Sequence, residues 1–570
     1  MTNTLYTTAG NLISEIPWEH YPRPQMRRDS YVNLNGYWDF AVSQGATPVY
    51  NRKILVPFCP ESPLSGIQEH FSEGAALCYR RTFTLPAGFQ QDRVLLHIGA
   101  ADQTLKCYVN NKNMGSHSGG YEAMVFDITE ALEETNTLEL CCTDNLHLRD
   151  YPYGKQSLNR GGMWYTPVSG IWQSVWLESV PESYIRALQI ENLDAGVNIR
   201  IEPALSGTVS VEGLGDFPLE NGIVTITPEK PRWWSPDDPY LYNFTVTTDS
   251  DRVESYFAIR TISSQMINGI PRLLLNGKPY FFNGLLDQGY WPDGIYTPAA
   301  PDCYAQDIRK AKELGFNTLR KHIKVEAQEF YYQCDKQGML VFQDMVNNGE
   351  YRFARDTLLP TLGIQKLRDQ RLNTDSAVRN RFLRGMEATV RQLRNHPCIV
   401  YWTIFNEGWG QFDSAAVYDQ LKALDASRII DATSGWFRQK KSDVESLHIY
   451  FNLWHRLKKA KKPLMLTEFG GYACPIKGHL FNPKKAYGYK TCTTQKALQS
   501  ELETLYRTRI VPAIEKGLCG AIYTQISDVE DEINGLLTYD RKVCKVDEVA
   551  MWSIAAKLQN AMQKHAGTDR

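Results

Sequence analysis

The C-terminal half of this 570-residue chain alternates short apolar runs with amphipathic stretches, and that alternation constrains the fold more than any other feature. Candidate strands fall at Tyr280–Leu285, Asn317–Arg320, Leu340–Gln343, Ile399–Phe405, Ile429–Ala432, Leu447–Ile449, Leu464–Thr467 and Ala521–Gln525. Helical segments lie between them, notably Ala377–Asn395 and Lys496–Lys516. In the stretch Asp302 to Gly315, the residues Tyr304, Ile308, Ala311 and Leu314 share one helical face, with Asp302 placed to cap the start and Gly315 the end. Eight βα units in about 300 residues point to a (β/α)8 barrel. A doubly wound sheet accommodates the same alternation but leaves the ends of two of these strands unexplained.

Those two strands end in carboxylates. Glu407 closes the run Cys398-Ile399-Val400-Tyr401-Trp402-Thr403-Ile404-Phe405-Asn406, and Glu468 closes Pro463-Leu464-Met465-Leu466-Thr467 ahead of Phe469-Gly470-Gly471. A charge after a buried strand needs a partner or a task, because leaving it unsatisfied is costly. In a parallel barrel the C-terminal strand ends face the active site. Two carboxyls converging there suit glycosidic bond cleavage. One attacks the anomeric carbon and the other protonates the leaving oxygen, ~5–5.5 Å apart when configuration is retained. The plainer alternative is that each glutamate leaves its strand to pair with a surface arginine. Asn406 and Trp409 flank Glu407, a setting that favours a proton on its carboxyl. The glycines after Glu468 allow close backbone approach. Tyr450, at the end of the sixth strand, is placed to donate its hydroxyl to Glu468 and keep it ionised.

The first ~180 residues read as all-β, with short alternating runs that suit a β-sandwich. In Thr104-Leu105-Lys106-Cys107-Tyr108-Val109-Asn110, Leu105, Cys107 and Val109 share one face. A second β segment runs from Tyr184 to Ile262, broken by Pro228, Pro231, Pro236 and Pro239. Its ~80 residues suit a seven-stranded immunoglobulin-like sandwich.

Net charge is −2 with no long run of one sign, so neither nucleic acid nor an anionic membrane is an implied partner. Arg438-Gln439-Lys440-Lys441 and Lys458-Lys459-Ala460-Lys461-Lys462 read as solvated faces. No secretory pattern opens the chain, and no apolar segment approaches the ~18 residues of a membrane span. The twelve cysteines form no Cys-x-x-Cys pair. They read as buried free thiols in a reducing cytoplasm, with no metal site signalled.

The segment Arg394-Asn395-His396-Pro397 leading into the run that ends at Glu407 resembles the acid/base signature of glycoside hydrolase family 2. That family includes β-galactosidases, β-glucuronidases and β-mannosidases. Leu466-Thr467-Glu468-Phe469-Gly470 resembles its nucleophile segment. Leu34-Asn35-Gly36-Tyr37-Trp38-Asp39-Phe40 and Val168-Ser169-Gly170-Ile171-Trp172-Gln173 are similar to its jelly-roll sugar-binding domain. Trp234-Ser235-Pro236-Asp237-Asp238-Pro239-Tyr240-Leu241-Tyr242 resembles the end of its immunoglobulin-like domain. Leu275-Asn276-Gly277-Lys278-Pro279 with Asn283-Gly284 resembles the approach to its barrel. In family order these segments cover essentially the whole chain.

The resemblance implies a jelly-roll sugar-binding domain at 1–182, an immunoglobulin-like sandwich at 183–264 and a catalytic barrel at 265–570. It implies Glu407 as general acid/base, Glu468 as nucleophile, Asn406 on the sugar 2-hydroxyl and His322 lining the site. Asp287, Trp291 and Asp344, at or just beyond strand ends, are expected to shape the sugar pocket with Tyr450 and Trp409. No cofactor is expected; the partner is an oligosaccharide or glycoside, and a homo-oligomer is compatible with the sequence.

Two departures bear on the sugar. Leu286-Asp287-Gln288-Gly289-Tyr290-Trp291-Pro292 stands where the best-known β-galactosidases are histidine-rich. Glu532 and Asn534 stand where glucuronidases carry an Asn-x-Lys carboxylate reader, and a glutamate would repel a uronic acid. The expectation is therefore a retaining exo-β-glycosidase, most simply a β-galactosidase. β-Glucuronidase, β-mannosidase and arabinosidase are the alternatives within the family. The cluster Asp528-Val529-Glu530-Asp531-Glu532 reads mainly as a solvated loop, with a hydroxyl or cation site as the alternative. A carbohydrate-binding protein on an inactive scaffold is disfavoured by the intact Glu407, Glu468 and Asn406. A metal-dependent barrel hydrolase lacks a histidine-rich strand end.

Overall fold

The computed structural model describes residues 4–566 except 46, 362, 363, 365, 366 and 451–453. The N-terminal part packs a four-stranded antiparallel sheet against a six-stranded one around a shared apolar core. Alternation sets which residues enter that core. Leu105, Cys107 and Val109 are buried from the strand Thr104–Val109, while Lys106 points outward. Directly opposed positions on the neighbouring strands Ala76–Phe83 and Asn136–Thr143 bring Cys78 and Cys141 into a disulfide. The expectation of free thiols throughout is corrected for this pair. Their Cα atoms are 4.2 Å apart although 63 residues separate them, and strand register alone decides which cysteines meet. The other ten cysteines are free.

The second domain has three strands facing four around its own core, seven in all. A hairpin of Ile262–Ile267 and Ile270–Leu275 leads from it to the barrel.

The barrel strands are β1 (Phe282–Asp287), β2 (Thr318–Lys321), β3 (Leu340–Asp344), β4 (Ile399–Asn406), β5 (Ile429–Ser434), β6 (Glu445–Ile449), β7 (Leu464–Gly470) and β8 (Leu518–Thr524). They are parallel in the order β5-β4-β3-β2-β1-β8-β7-β6, and β5 meets β6 without a shared ladder. All eight residues of β4 and all seven of β7 are buried, which is why these strands read as continuous apolar runs. Around them lie α1 (Asp302–Glu313), α2 (Gln328–Gln337), α3 (Ser376–Leu393), α4 (Ser414–Leu424), α5 (Gln495–Leu505) and α6 (Glu548–Ala566). Asp302 is the first residue of α1, behind Pro301, and makes no capping bond. No helix among the described residues is long and apolar enough to cross a membrane.

Buried polar contacts fix the two β domains on the barrel. Trp234 Nε1 donates to the Asp335 carbonyl at 2.8 Å, and Tyr256 Oη to Asp335 Oδ2 at 2.7 Å. A segment of the N-terminal domain crosses the barrel mouth. There Tyr153 N donates to the Asn347 carbonyl at 3.0 Å, Asn348 Nδ2 to the Asp150 carbonyl at 2.8 Å, and Thr166 N to Glu530 Oε1 at 2.9 Å.

Candidate active site

Glu407 follows β4 with its backbone in the left-handed region, φ +52°. That conformation is uncommon for a residue with a Cβ and concentrates at functional sites. Gly408 allows the turn: a Cβ there would lie 2.4 Å from the Phe437 ring. Glu468 lies within β7. Gly470 and Gly471, both at positive φ, let Tyr523 and Tyr489 pack where a Cβ would intrude at 2.3 and 2.5 Å.

The two carboxylates converge. An oxygen of Glu407, an oxygen of Glu468 and a ring nitrogen of His448 all lie within 4.8 Å of one another. His448 Nδ1 is 2.8 Å from Glu407 Oε1 and 3.5 Å from Glu468 Oε2, and its Nε2 is 3.0 Å from Ser434 Oγ. This separation fits direct attack by one carboxylate better than the ~6.5–9.5 Å that leaves room for an inverting water.

Their surroundings differ. Glu468 is buried, accepts from Arg320 Nη1 at 2.9 Å on Oε1 and takes the Tyr450 hydroxyl on Oε2. Burial pushes its pKa up, but the charges of His448, Arg320, His322 and Lys155 outweigh that and hold it down at about 2. His322 is itself held down at about 4, by burial first and then by Lys155. It is therefore neutral at pH 7 and assists Glu468 only in acid. Glu407 is part-exposed, and among the described residues it has no arginine or lysine partner, only His448 Nδ1 at 2.8 Å.

Arg320 organises the floor. Fully buried, it binds Asp344 through Nε and Nη2, both at 3.0 Å, the Thr467 carbonyl at 3.0 Å and Asn406 Oδ1 at 2.8 Å. The last contact fixes the Asn406 amide, leaving Nδ2 as a buried donor with no protein acceptor. Asp344 also takes His322 Nδ1 at 2.8 Å, so its oxygens hold the floor together rather than face a ligand.

Trp409 stacks on Trp164 of the N-terminal domain, ring centres 5.1 Å apart, and its Nε1 also lacks an acceptor. Tyr450 stacks on Tyr489 at 3.7 Å. Asp287 and Trp291 stand apart from this group. Asp287 pairs with Lys321 at 2.7 Å and takes Gly289 N at 2.9 Å, and Trp291 packs beneath Arg541.

The structure overturns the solvated-loop reading of 528–532. Asp528, Glu530, Asp531 and Glu532 are all buried. Asp528 pairs with Lys545 at 2.6 Å, Glu530 and Asp531 with Arg160, and Glu532 accepts from the Tyr165 hydroxyl and from Asn534 Nδ2. Counter-charges from outside the loop, Lys545 and the far more distant Arg160, allow this burial.

The sequence reading missed Arg320 and His448. Each lies two residues before a residue already singled out, His322 and Tyr450, so strand alternation places it on the same face. It also missed Lys155 and Trp164, whose arrival at the barrel mouth depends on domain packing and leaves no local signal.

Comparison with known proteins agrees with this architecture. Family models match in three consecutive stretches: "Glycosyl hydrolases family 2, sugar binding domain" at residues 64–181, "Glycosyl hydrolases family 2" at 188–260 and "Glycosyl hydrolases family 2, TIM barrel domain" at 270–545. A β-galactosidase of Thermoanaerobacter pseudethanolicus is 25% identical over 438 residues, covering 70% of this chain and 54% of that protein. The chain thus spans about half the length of that relative. Human β-glucuronidase is 25% identical over 474 residues, covering 69% of this chain and 68% of its own. Among solved structures, a β-D-glucuronidase of Dictyoglomus thermophilum superposes with TM-score 0.72 at 18% identity, covering 95% of this chain and 98% of that one. A GH2 β-galacturonidase of Eisenbergiella tayi bound to galacturonate gives TM-score 0.67 at 18% identity, covering 95% and 99%. With three family models in order along the two sandwiches and the barrel, the chain belongs to glycoside hydrolase family 2 and is a glycoside hydrolase.

Proposed function

We propose that the chain is a retaining exo-β-glycosidase, with Glu468 as nucleophile and Glu407 as acid/base. The observation that carries this is the approach of the two carboxylates to within 4.8 Å at the barrel mouth, in unlike surroundings. Glu468 is held ionised by Arg320 and Tyr450 and attacks the anomeric carbon. Glu407, part-exposed and without an arginine or lysine partner among the described residues, protonates the leaving oxygen. A covalent glycosyl-enzyme results, and Glu407 then deprotonates the water that releases the sugar with its configuration retained. The free Nδ2 of Asn406 serves the sugar 2-hydroxyl, a contact that gains strength as the anomeric carbon becomes cationic. Two carboxyls suffice for this chemistry, so no cofactor is required. Exo action is supported by the Trp164–Trp409 stack, which walls one side of the mouth.

The sugar is a galactoside or a uronide in this proposal, the two classes named by the relatives. The repulsion argued from Glu532 does not decide between them, because both its oxygens are engaged by Tyr165 and Asn534. The test is proton NMR of the first-formed sugar from an aryl β-glycoside. The β-anomer should appear first and mutarotate; an initial α-anomer would overturn the mechanism.

A further inference from the structure

We propose that Lys155, carried to the barrel mouth by the N-terminal domain, reads an anionic substituent of the bound sugar and so directs the site to β-uronides. This rests on the exo-β-glycosidase reading above and names its substrate class.

Lys155 is 8% exposed, and its ammonium lies 5.7 Å from the Tyr165 ring centre and 5.8 Å from that of Trp409. No described side chain gives it a hydrogen-bond acceptor or a carboxylate partner. A largely buried side chain whose ammonium has no fixed counter-ion is available to one that a ligand brings. The neighbouring cations are already committed. Lys321 is held by Asp287 and Glu326, Lys324 by Glu326 and two carbonyls, Lys545 by Asp528, Arg160 by Glu530 and Asp531, and Arg320 by Asp344 and Glu468.

Two donors at the mouth are also unfilled, as is one acceptor, Gln525 Oε1, which a sugar hydroxyl can satisfy. Asn406 Nδ2 and Trp409 Nε1 are buried without acceptors. A cation without a fixed partner beside unfilled donors matches a ligand that supplies acceptors and negative charge, as the carboxylate of a hexuronic acid does.

The mount is rigid. Gly154, at φ +64°, passes where a Cβ would lie 2.8 Å from the Ile323 carbonyl. The Lys155 carbonyl accepts from Tyr165 N at 3.0 Å, and Gln156 is tied to Asp102 at 3.0 Å and to Val168 N at 2.7 Å. The effect of Lys155 on Glu468 and His322, lowering the pKa of both, places its charge close to the nucleophile.

The test compares 4-nitrophenyl β-D-glucuronide, β-D-galacturonide and β-D-galactoside on the full-length protein and on Lys155→Met and Lys155→Arg. Wild type should favour a uronide, and the better of the two uronides identifies the configuration at C4. Lys155→Met should lower kcat/KM on that uronide roughly 100-fold, as expected for losing a charge-assisted bond. The galactoside should lose less than about tenfold. Lys155→Arg should restore part of the uronide activity. Calorimetry on wild type supplies a readout independent of variant folding: free D-glucuronate or D-galacturonate should bind more tightly than D-galactose, and more weakly at high salt. A uronide-to-galactoside ratio unchanged by Lys155→Met, or tighter binding of galactose, would overturn the role of Lys155 while leaving the glycosidase intact. Hydrolysis of none of the three substrates would instead count against the function itself.

Discussion

Replacing Arg320 by Met removes the cation shared by Asp344 and Glu468 and the donor that fixes Asn406. Both carboxylates are buried, so the loss leaves uncompensated charge in the barrel floor. Breaking a buried pair in this way costs about 3–5 kcal/mol. At ~2–4 °C per kcal/mol for a domain of this size, the barrel transition should fall by roughly 10 °C. The sign of the pH effect follows from Glu468. Its pKa is about 2 in the folded protein against an ordinary value of 4.5, so its stabilising contribution is full above 4.5 and is lost as pH falls through about 2. Without Arg320, burial, which raises the pKa, is opposed by fewer charges, and the value must climb. A hydrogen bond to a charged group is worth about 1.5–3 kcal/mol, equivalent to about one to two pKa units. The acid limb of kcat/KM should therefore move up by at least about one unit. The assay is thermal unfolding together with a pH profile on an activated aryl glycoside; Arg320→Lys keeps the charge and should shift the limb less. A folded Arg320→Met variant with an unmoved transition and an unmoved acid limb would refute the view that Arg320 holds the nucleophile ionised.

Tyr450→Phe removes the hydroxyl that reaches Glu468 Oε2, and kcat should fall roughly 10- to 100-fold with the fold unchanged, as measured by steady-state kinetics. Asn406→Ala should lose much of its activity on a glycoside bearing a 2-hydroxyl but little more on the 2-deoxy analogue; equal losses on both would detach Asn406 from that hydroxyl. Glu407→Ala should still release dinitrophenol, accumulate the glycosyl-enzyme and be rescued by azide to give a β-glycosyl azide. Glu468→Ala with azide should give the α-glycosyl azide by a single inversion, and NMR of the two products checks the assignment.

Much of the barrel is legible in the sequence because parallel strands buried on both faces read as unbroken apolar runs. All eight expected strands overlap observed ones, with ends displaced by a few residues. β7 extends to Gly470 rather than stopping at Thr467, since glycines discourage a strand reading even where the ladder continues. Glu407 and Glu468 stand out for the same reason the strands do: a charge after such a run is conspicuous. Arg320 and His448 share their strand faces with His322 and Tyr450, so the information was present but depended on register. Lys155, Trp164 and Arg160, which pairs with Glu530 and Asp531, come from a segment hundreds of residues away. Only packing of the N-terminal domain on the barrel brings Lys155, Trp164 and Arg160 there, while the Cys78–Cys141 pairing depends on strand register within the N-terminal sheet.

The identity of the nucleophile is most directly tested by trapping. A 2-deoxy-2-fluoro β-glycosyl fluoride slows both chemical steps, while its good leaving group allows the first to proceed, so the covalent intermediate accumulates. Intact-protein mass spectrometry should show the gain of one fluoroglycosyl group, with activity lost in parallel. Peptide mapping should place that group on Glu468. A label on Glu407 would exchange the two roles, and turnover of the reagent with no covalent adduct and an inverted product would contradict the double-displacement account.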